Sequence, residues 1–235
     1  MSKKLRMNLR LGLIVVLIAK VICYQGASFV IEMEDIRFDL WIISSLYARS
    51  RLDCSKTCEI HGTCLSFQYS PLNGQCRLFN TIFLHQDAGV SDIGWQYYIV
   101  SNRRCRDPFI DGRVLDICFM FAGFHNLTEA KTKCAANNSN IISITSAEQN
   151  QFLSRLAGTF SYLSLPGASY KRPFIQGSWG GTAWILDNGT PLVYTNWDIG
   201  HPMITSNRRY IKFLDGQWRA TIPDFIRSVF CTYQP

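Results

Sequence analysis

Nine cysteines in 235 residues constrain this chain more than any other feature. Eight of them, Cys54, Cys58, Cys64, Cys76, Cys105, Cys118, Cys134 and Cys231, follow an N-terminal stretch that ends at the ninth, Cys23. An even set in an oxidising compartment reads as four disulfides, a framework that supports small domains with thin cores. The N-terminal stretch argues for that compartment. Lys3 to Arg10 is basic, Leu11 to Ala19 is apolar, and Val21-Ile22-Cys23 leads to a cleavage point. This is the layout of a secretory signal peptide over residues 1–23, with Gly26 as a second place for cleavage. Lys20 ends the apolar run well short of the ~20 residues that a membrane-spanning helix requires. The expectation is a secreted, extracellular protein with no stable membrane span after cleavage. An uncleaved signal anchor is the rival reading.

The net charge of +7 invites a nucleic-acid or membrane-surface reading. Its distribution argues against one. Lys3, Lys4, Arg6, Arg10 and Lys20 all lie in the first 23 residues, and the remaining 19 basic residues face 17 acids. The basicity belongs to the leader, and no nucleic-acid partner is expected.

Residues 41–101 read as one unit. Cys54 and Cys58 are four apart and share a face if helical. Cys64-Leu65-Ser66-Phe67-Gln68-Tyr69, Cys76-Arg77-Leu78-Phe79 and Gly94-Trp95-Gln96-Tyr97-Tyr98-Ile99-Val100 read as strands. Four cysteines with His61 close by also allow a zinc site. Asn102-Arg103-Arg104 is the only visible linker, too short for a flexible hinge, so the flanking units are expected to touch.

Beyond it, Cys105 and Cys118 flank Asp107-Pro108 and Asp111-Gly112, which suits a small closed hairpin. Asn126 and Glu129 form a capping box ahead of a helix whose Leu127, Ala130 and Cys134 share one face. Thr145-Ser146-Ala147-Glu148 reads as a second box, before Phe152, Leu153 and Leu156. Residues 157–192 are rich in Gly, Pro and Ser, with strand fragments expected at Phe174–Ile175 and Ala183–Leu186. From Leu192 onward, short apolar runs alternate with turn formers: Asn196-Trp197, Gly200-His201-Pro202, Tyr210 to Phe213, Gly216-Gln217-Trp218, and Val229-Phe230-Cys231.

The order and spacing of these marks resemble two families. Residues 27–101 resemble a PAN/apple domain, with helix cysteines, then Cys-x-Phe-x-Tyr, Cys-x-Leu and an aromatic closing strand. Residues 105–235 resemble a C-type lectin domain, with Phe174-Ile175-Gln176-Gly177 standing where that family has Trp-Ile-Gly-Leu. The fold class implied is α+β: one helix on a small antiparallel sheet, then two helices, antiparallel strands and a long irregular loop. The first resemblance implies Cys58–Cys64 nested inside Cys54–Cys76. The second implies Cys105–Cys118 and Cys134–Cys231. The last closes a loop of about a hundred residues, worth up to about 4.7 kcal/mol in the chain-entropy picture. A further pair usual in the C-type lectin family is missing at both ends, at Tyr210 and near Pro223.

The second resemblance also implies where a calcium-held sugar site would lie, and this chain departs from it at each point. His201-Pro202-Met203 replaces a Glu-Pro-Asn or Gln-Pro-Asp triplet. Arg208 stands in an acidic position, and Trp218-Arg219-Ala220 replaces Trp-Asn-Asp. Calcium takes six to eight oxygens, several from carboxylates. No metal and no cofactor is therefore expected. The residues left near the site are His201, Arg208, Arg209 and Arg219, with Asp198 the nearest acid. They read first as a solvated set of arginines on a surface loop, and otherwise as a cluster that suits sulfate or carboxylate groups. Trp179, in the long loop, is the candidate stacking platform; Trp197 and Trp218 are expected in the core. Asn126, Asn137 and Asn188 head Asn-x-Ser/Thr sequons and are glycosylation candidates.

No Gly-x-Ser-x-Gly, His-Glu-x-x-His, phosphate loop or dinucleotide glycine motif occurs, and His61, His85, His125 and His201 lie scattered. The expectation is a binding protein, not an enzyme, with a glycan (acidic ones included) or an extracellular protein as partner. A structural or matrix role is the alternative.

Overall fold

The computed structural model describes residues 23–24, 27–100, 104–159 and 172–235. The leader up to residue 22, Asn102-Arg103 of the linker and residues 160–171 of the long loop lie outside the described residues.

The first half is built on a six-stranded antiparallel sheet. Its order is Cys23–Tyr24, Ala27–Phe29, Gln96–Val100, Ser66–Ser70, Gln75–Phe79 and Ile42–Tyr47. Helix α1, Arg51–Ile60, lies on one face. Ser50 caps it, its hydroxyl accepting from Asp53 N at 3.2 Å. Cys54 and Cys58 fall on its buried side and are bonded to Cys76 and Cys64. All four sulfurs are thus engaged, which removes the zinc reading, and the His61 ring lies 3.3 Å from Thr63 Oγ1.

Ser66–Ser70 is buried along its whole length, because both faces of the sheet are covered. Toward α1 lie Phe67, Tyr69, Leu78 and Tyr98. On the other face Phe38, Phe79, Phe83 and Tyr97 form an aromatic cluster, with Phe38 and Phe83 stacked at 3.9 Å. Gln68 points into this second layer and is fully used there. Its amide donates to Ile36 O at 2.6 Å and accepts from Phe38 N at 2.9 Å.

The second half carries helix α2, Leu127–Ala135, helix α3, Ala147–Gly158, and two four-stranded sheets. One sheet runs Asn140–Ile141, Arg227–Tyr233, Cys118–His125, Ile110–Asp111; the other runs Trp184–Ile185, Phe174–Trp179, Tyr210–Leu214, Gln217–Thr221. Asn126 and Glu129 close the capping box of α2, and Leu127, Ala130 and Cys134 are its buried face. Cys105–Cys118 and Cys134–Cys231 are bonded. The second pairs α2 with the last strand across 97 residues.

Two local expectations shift. The cap of α3 is Ser146, accepting from Gln149 N, and Gln149 reaches back to Thr145 N at 2.7 Å. Thr145 and Ser146 can both cap, and the burial of Phe152, Leu153 and Leu156 selects the later start. The strand expected at Phe174–Ile175 extends to Trp179, because Tyr210–Leu214 and Trp184–Ile185 pair with it.

The halves meet along an apolar seam. Leu65 and Ile82 lie in the same buried cluster as Phe119, Phe152, Leu156 and Trp218. Arg155 of α3 donates to Asn80 O at 3.1 Å. Gly158 ends α3 against Trp41, where a Cβ would come within 2.8 Å of the ring.

Candidate functional site

The site grows out of the sheet that ends in Gln217–Thr221. Tyr210–Leu214 and Gln217–Thr221 form a hairpin whose turn, Asp215-Gly216, has positive φ at both residues, 49° and 88°. That is the geometry favoured by the twist of the flanking strands. The turn carbonyl, Gly216 O, accepts from the amides of Asn150 at 2.7 Å and Asn196 at 2.6 Å. Asn150 in turn accepts from the indole of the fully buried Trp218 at 2.8 Å. Trp218 N donates to Asn196 O, and Asp198 N donates to Trp218 O. The loop after Trp197 is therefore pinned at its start to a rigid hairpin.

Asp198 leaves that anchor with its carboxylate toward Arg219. Nε of Arg219 donates to Asp198 Oδ2, Nη2 forms an ion pair with the same oxygen, and Ile199 N donates to Oδ1 at 2.8 Å. The Arg219 contact, helped by the Ile199 amide, holds the Asp198 carboxyl below the usual carboxylate range. His201 N donates to Asp198 O, while its Nδ1 accepts from Ala220 N at 3.3 Å and Met203 N at 3.4 Å. Partial burial, then the Arg219 charge, push the imidazole below its ordinary value. A neutral ring with an accepting Nδ1 follows from both facts.

Asp198, His201 and Arg219 are thus brought together. Arg208 is exposed and adjoins them through Met203, its Nη1 lying 3.6 Å from Met203 Sδ. Arg209 is exposed too, and its carbonyl accepts from Trp179 N at 2.9 Å. Trp179 is half-buried. It heads a row of rings, with Trp179–Trp184 at 5.9 Å, Trp184–Trp197 at 5.0 Å and Trp197–Trp218 at 5.7 Å.

Two further cations adjoin this site, Lys212 from the same sheet and Arg227 from the start of the last strand, in the other sheet. Register places Phe174, Lys212 and Arg219 side by side, with Tyr210 opposite Thr221 on the same face. Arg227 lies over the Phe174 ring at 5.4 Å and donates to Thr221 Oγ1 at 2.9 Å. Burial, followed by the charges of Arg227, Arg172, Arg219 and Arg208, lowers the Lys212 ammonium to about 8. The signal was present as alternation: Ile211, Phe213, Trp218 and Ala220 face the core, so Lys212 and Arg219 must share the other side.

The sequons differ in setting. Asn188 and Thr190 are exposed in a turn. Asn126 uses its oxygen as the α2 cap. Asn137 donates its amide to Lys133 O at 2.9 Å, and Ser139 is buried.

A PAN domain family model matches residues 38–93, and a lectin C-type domain model matches residues 124–231. Among solved structures, the carbohydrate-recognition domain of mouse scavenger receptor C-type lectin is 20% identical, with a TM-score of 0.45, covering 55% of this chain and 98% of that one. Human lithostathine is 17% identical, with a TM-score of 0.47, covering 57% and 94%. A calcium-independent type II antifreeze protein is 18% identical, with a TM-score of 0.45, covering 55% and 94%. No curated protein sequence matches the chain.

Proposed function

We propose, from the premise that the chain carries a PAN domain followed by a C-type lectin-like domain, that it is a secreted extracellular protein. In this reading it recognises an acidic glycan without calcium. Both modules are recognition folds, not catalytic ones. The units would span residues 27–101 and 105–235, after a leader over 1–23. Among the described residues no helix is long and apolar enough to cross a membrane.

The observation that carries the proposal is the Asp198–Arg219 pair. The donor set does not fit a calcium ion, which needs six to eight oxygens with several carboxylates among them. Among the described residues no group of three or more metal-ligating side chains occurs, and a guanidinium already occupies the Asp198 carboxylate. His201 stands beside it and Arg208 adjoins through Met203, which offer donors and positive charge where a metal site offers oxygens. Guanidinium forks match sulfate and carboxylate groups, and an exposed set binds them in a salt-sensitive way. Glycosylation of the chain itself would favour Asn188, then Asn126, with Asn137 least suited because its amide and its Ser139 are engaged.

A glycan array on the disulfide-intact chain, run with calcium and again with chelator, tests this. Binding of acidic glycans that survives the chelator supports it. Binding that requires calcium overturns it. A protein ligand is favoured instead if no glycan binds; Val193 and Ile199, 81% and 95% exposed beside this loop, would then be the contact to test first.

A further inference from the structure

We propose that the Phe174–Lys212–Arg219 face of the sheet holds an oxyanion site, built on Arg227 and Lys212, that takes a sulfate-type group. The site asks only that an oxyanion seat against Arg227, and so stands whether or not the Asp198–Arg219 loop reads glycans.

Arg227 is 2% exposed. A buried cation in a folded protein is normally paired with a carboxylate or has all its donors accepted. Arg227 has neither arrangement. Nη2 reaches Thr221 Oγ1, but Nε and Nη1 are buried with no hydrogen-bond partner. Its faces are covered by aromatic rings, Phe174 at 5.4 Å and Phe225 at 5.2 Å, which hold a guanidinium flat but accept nothing from its N–H groups. The polar neighbours on this face add positive charge. Lys212 lies beside Phe174 in the register, and Arg172 adjoins both cations closely enough to act on each. Arg219 is next along the strand pair, and its charge is the one met by a carboxylate, Asp198.

Concentrating Arg227, Lys212 and Arg172 with two buried donors idle is unfavourable for the empty protein. An oxyanion removes both penalties together, by accepting the free N–H groups and by neutralising the cluster. Lys212 and Arg172 are half-buried, and the cover on the Phe225 side is a short exposed segment, Asp224 to Ile226, with Phe225 itself 48% exposed.

The probe is inorganic sulfate, titrated at low millimolar concentration into the full disulfide-intact chain, against sodium chloride at equal ionic strength. Melting temperature is the first readout. The expected result is a saturable rise that Arg227→Met abolishes and Lys212→Gln weakens by about tenfold, the worth of one charge-assisted hydrogen bond. Should Arg227→Met fail to fold, Lys212→Gln and Arg172→Gln carry the test, and the Lys212 ammonium, followed by NMR, should titrate at higher pH when sulfate is present. A heparin oligosaccharide that competes with sulfate identifies an ester on a polysaccharide as the source; failure to compete identifies the free ion. A rise without saturation, equal in wild type and variants, is the general effect of an excluded salt and overturns the proposal. So does no rise at all.

Discussion

Two buried polar side chains, one in each half, are treated in opposite ways. At the centre of the first half, Gln68 spends both ends of its amide on the backbone at Ile36 and Phe38, and Ser66 donates to Thr81 O at 2.6 Å. In the second half, Arg227 is buried to the same degree yet leaves two nitrogens idle. Satisfied buried groups rigidify a fold and need nothing from outside. An unsatisfied buried cation marks a place where the folded chain is incomplete by itself. The disulfides differ in reach too, although the second half also has a local one, Cys105–Cys118, 13 residues apart. Those of the first half are short and local, 22 and 6 residues apart, and staple α1 to its sheet. Cys134–Cys231 spans 97 residues and closes the second half as a whole.

The largest effect that would break this contrast is loss of the long bridge. Replacing Cys134 and Cys231 together by alanine should cost about 2–5 kcal/mol, seen as a lowered denaturation midpoint, with loss of the lectin-like half's cooperative transition. Next comes the seam between the halves. Gly158→Leu drives a side chain into Trp41 and should cost about 1–3 kcal/mol; a change below a few tenths would mean that the seam is loose. Of similar or smaller size is Gln68→Met, which leaves Ile36 O and Phe38 N unpaired and should cost about 1–3 kcal/mol without touching ligand binding.

A pH experiment sharpens the other side. Folded Lys212 gives up its proton at about 8, an unfolded lysine at 10.5. Between those values the unfolded chain holds more protons, so raising the pH favours the fold. The charges acting on Lys212 are those of Arg227, Arg172, Arg219 and Arg208, and since Arg227 is itself lowered to about 10, the comparison is read below that value. Wild type should gain stability across the window relative to Lys212→Gln, and a parallel pair of curves would show that Lys212 is not perturbed. The smallest stability effect is expected of Arg219→Ala, because its pair with Asp198 is at the surface. Its effect should appear instead as weakened binding of acidic glycans.

Much of this was legible in the chain before any coordinates. Helix caps and cysteine spacing are local, so α1, α2 and the nested pairs at Cys54 to Cys76 could be read directly or through resemblance. The α3 cap slipped by one residue because Thr145 and Ser146 offer the same chemistry, and distant packing chooses between them. Asp198, His201 and Arg219 were legible because replaced positions in a known pattern draw attention. Arg227 was not. In the sequence it is one arginine before an apolar strand, which reads as a solvated end. Its burial comes from Phe174, Phe225 and Thr221, which only the tertiary fold brings to it.

The central claim is that cations, not calcium, form the recognition face. It is tested most directly by the melting temperature of the disulfide-intact chain in chelator and in calcium raised above the millimolar range that extracellular modules require. The account predicts coincident curves, because the Asp198 carboxylate is held by Arg219 and, among the described residues, no group of three or more metal-ligating side chains occurs. A clear, saturable rise with calcium would contradict it.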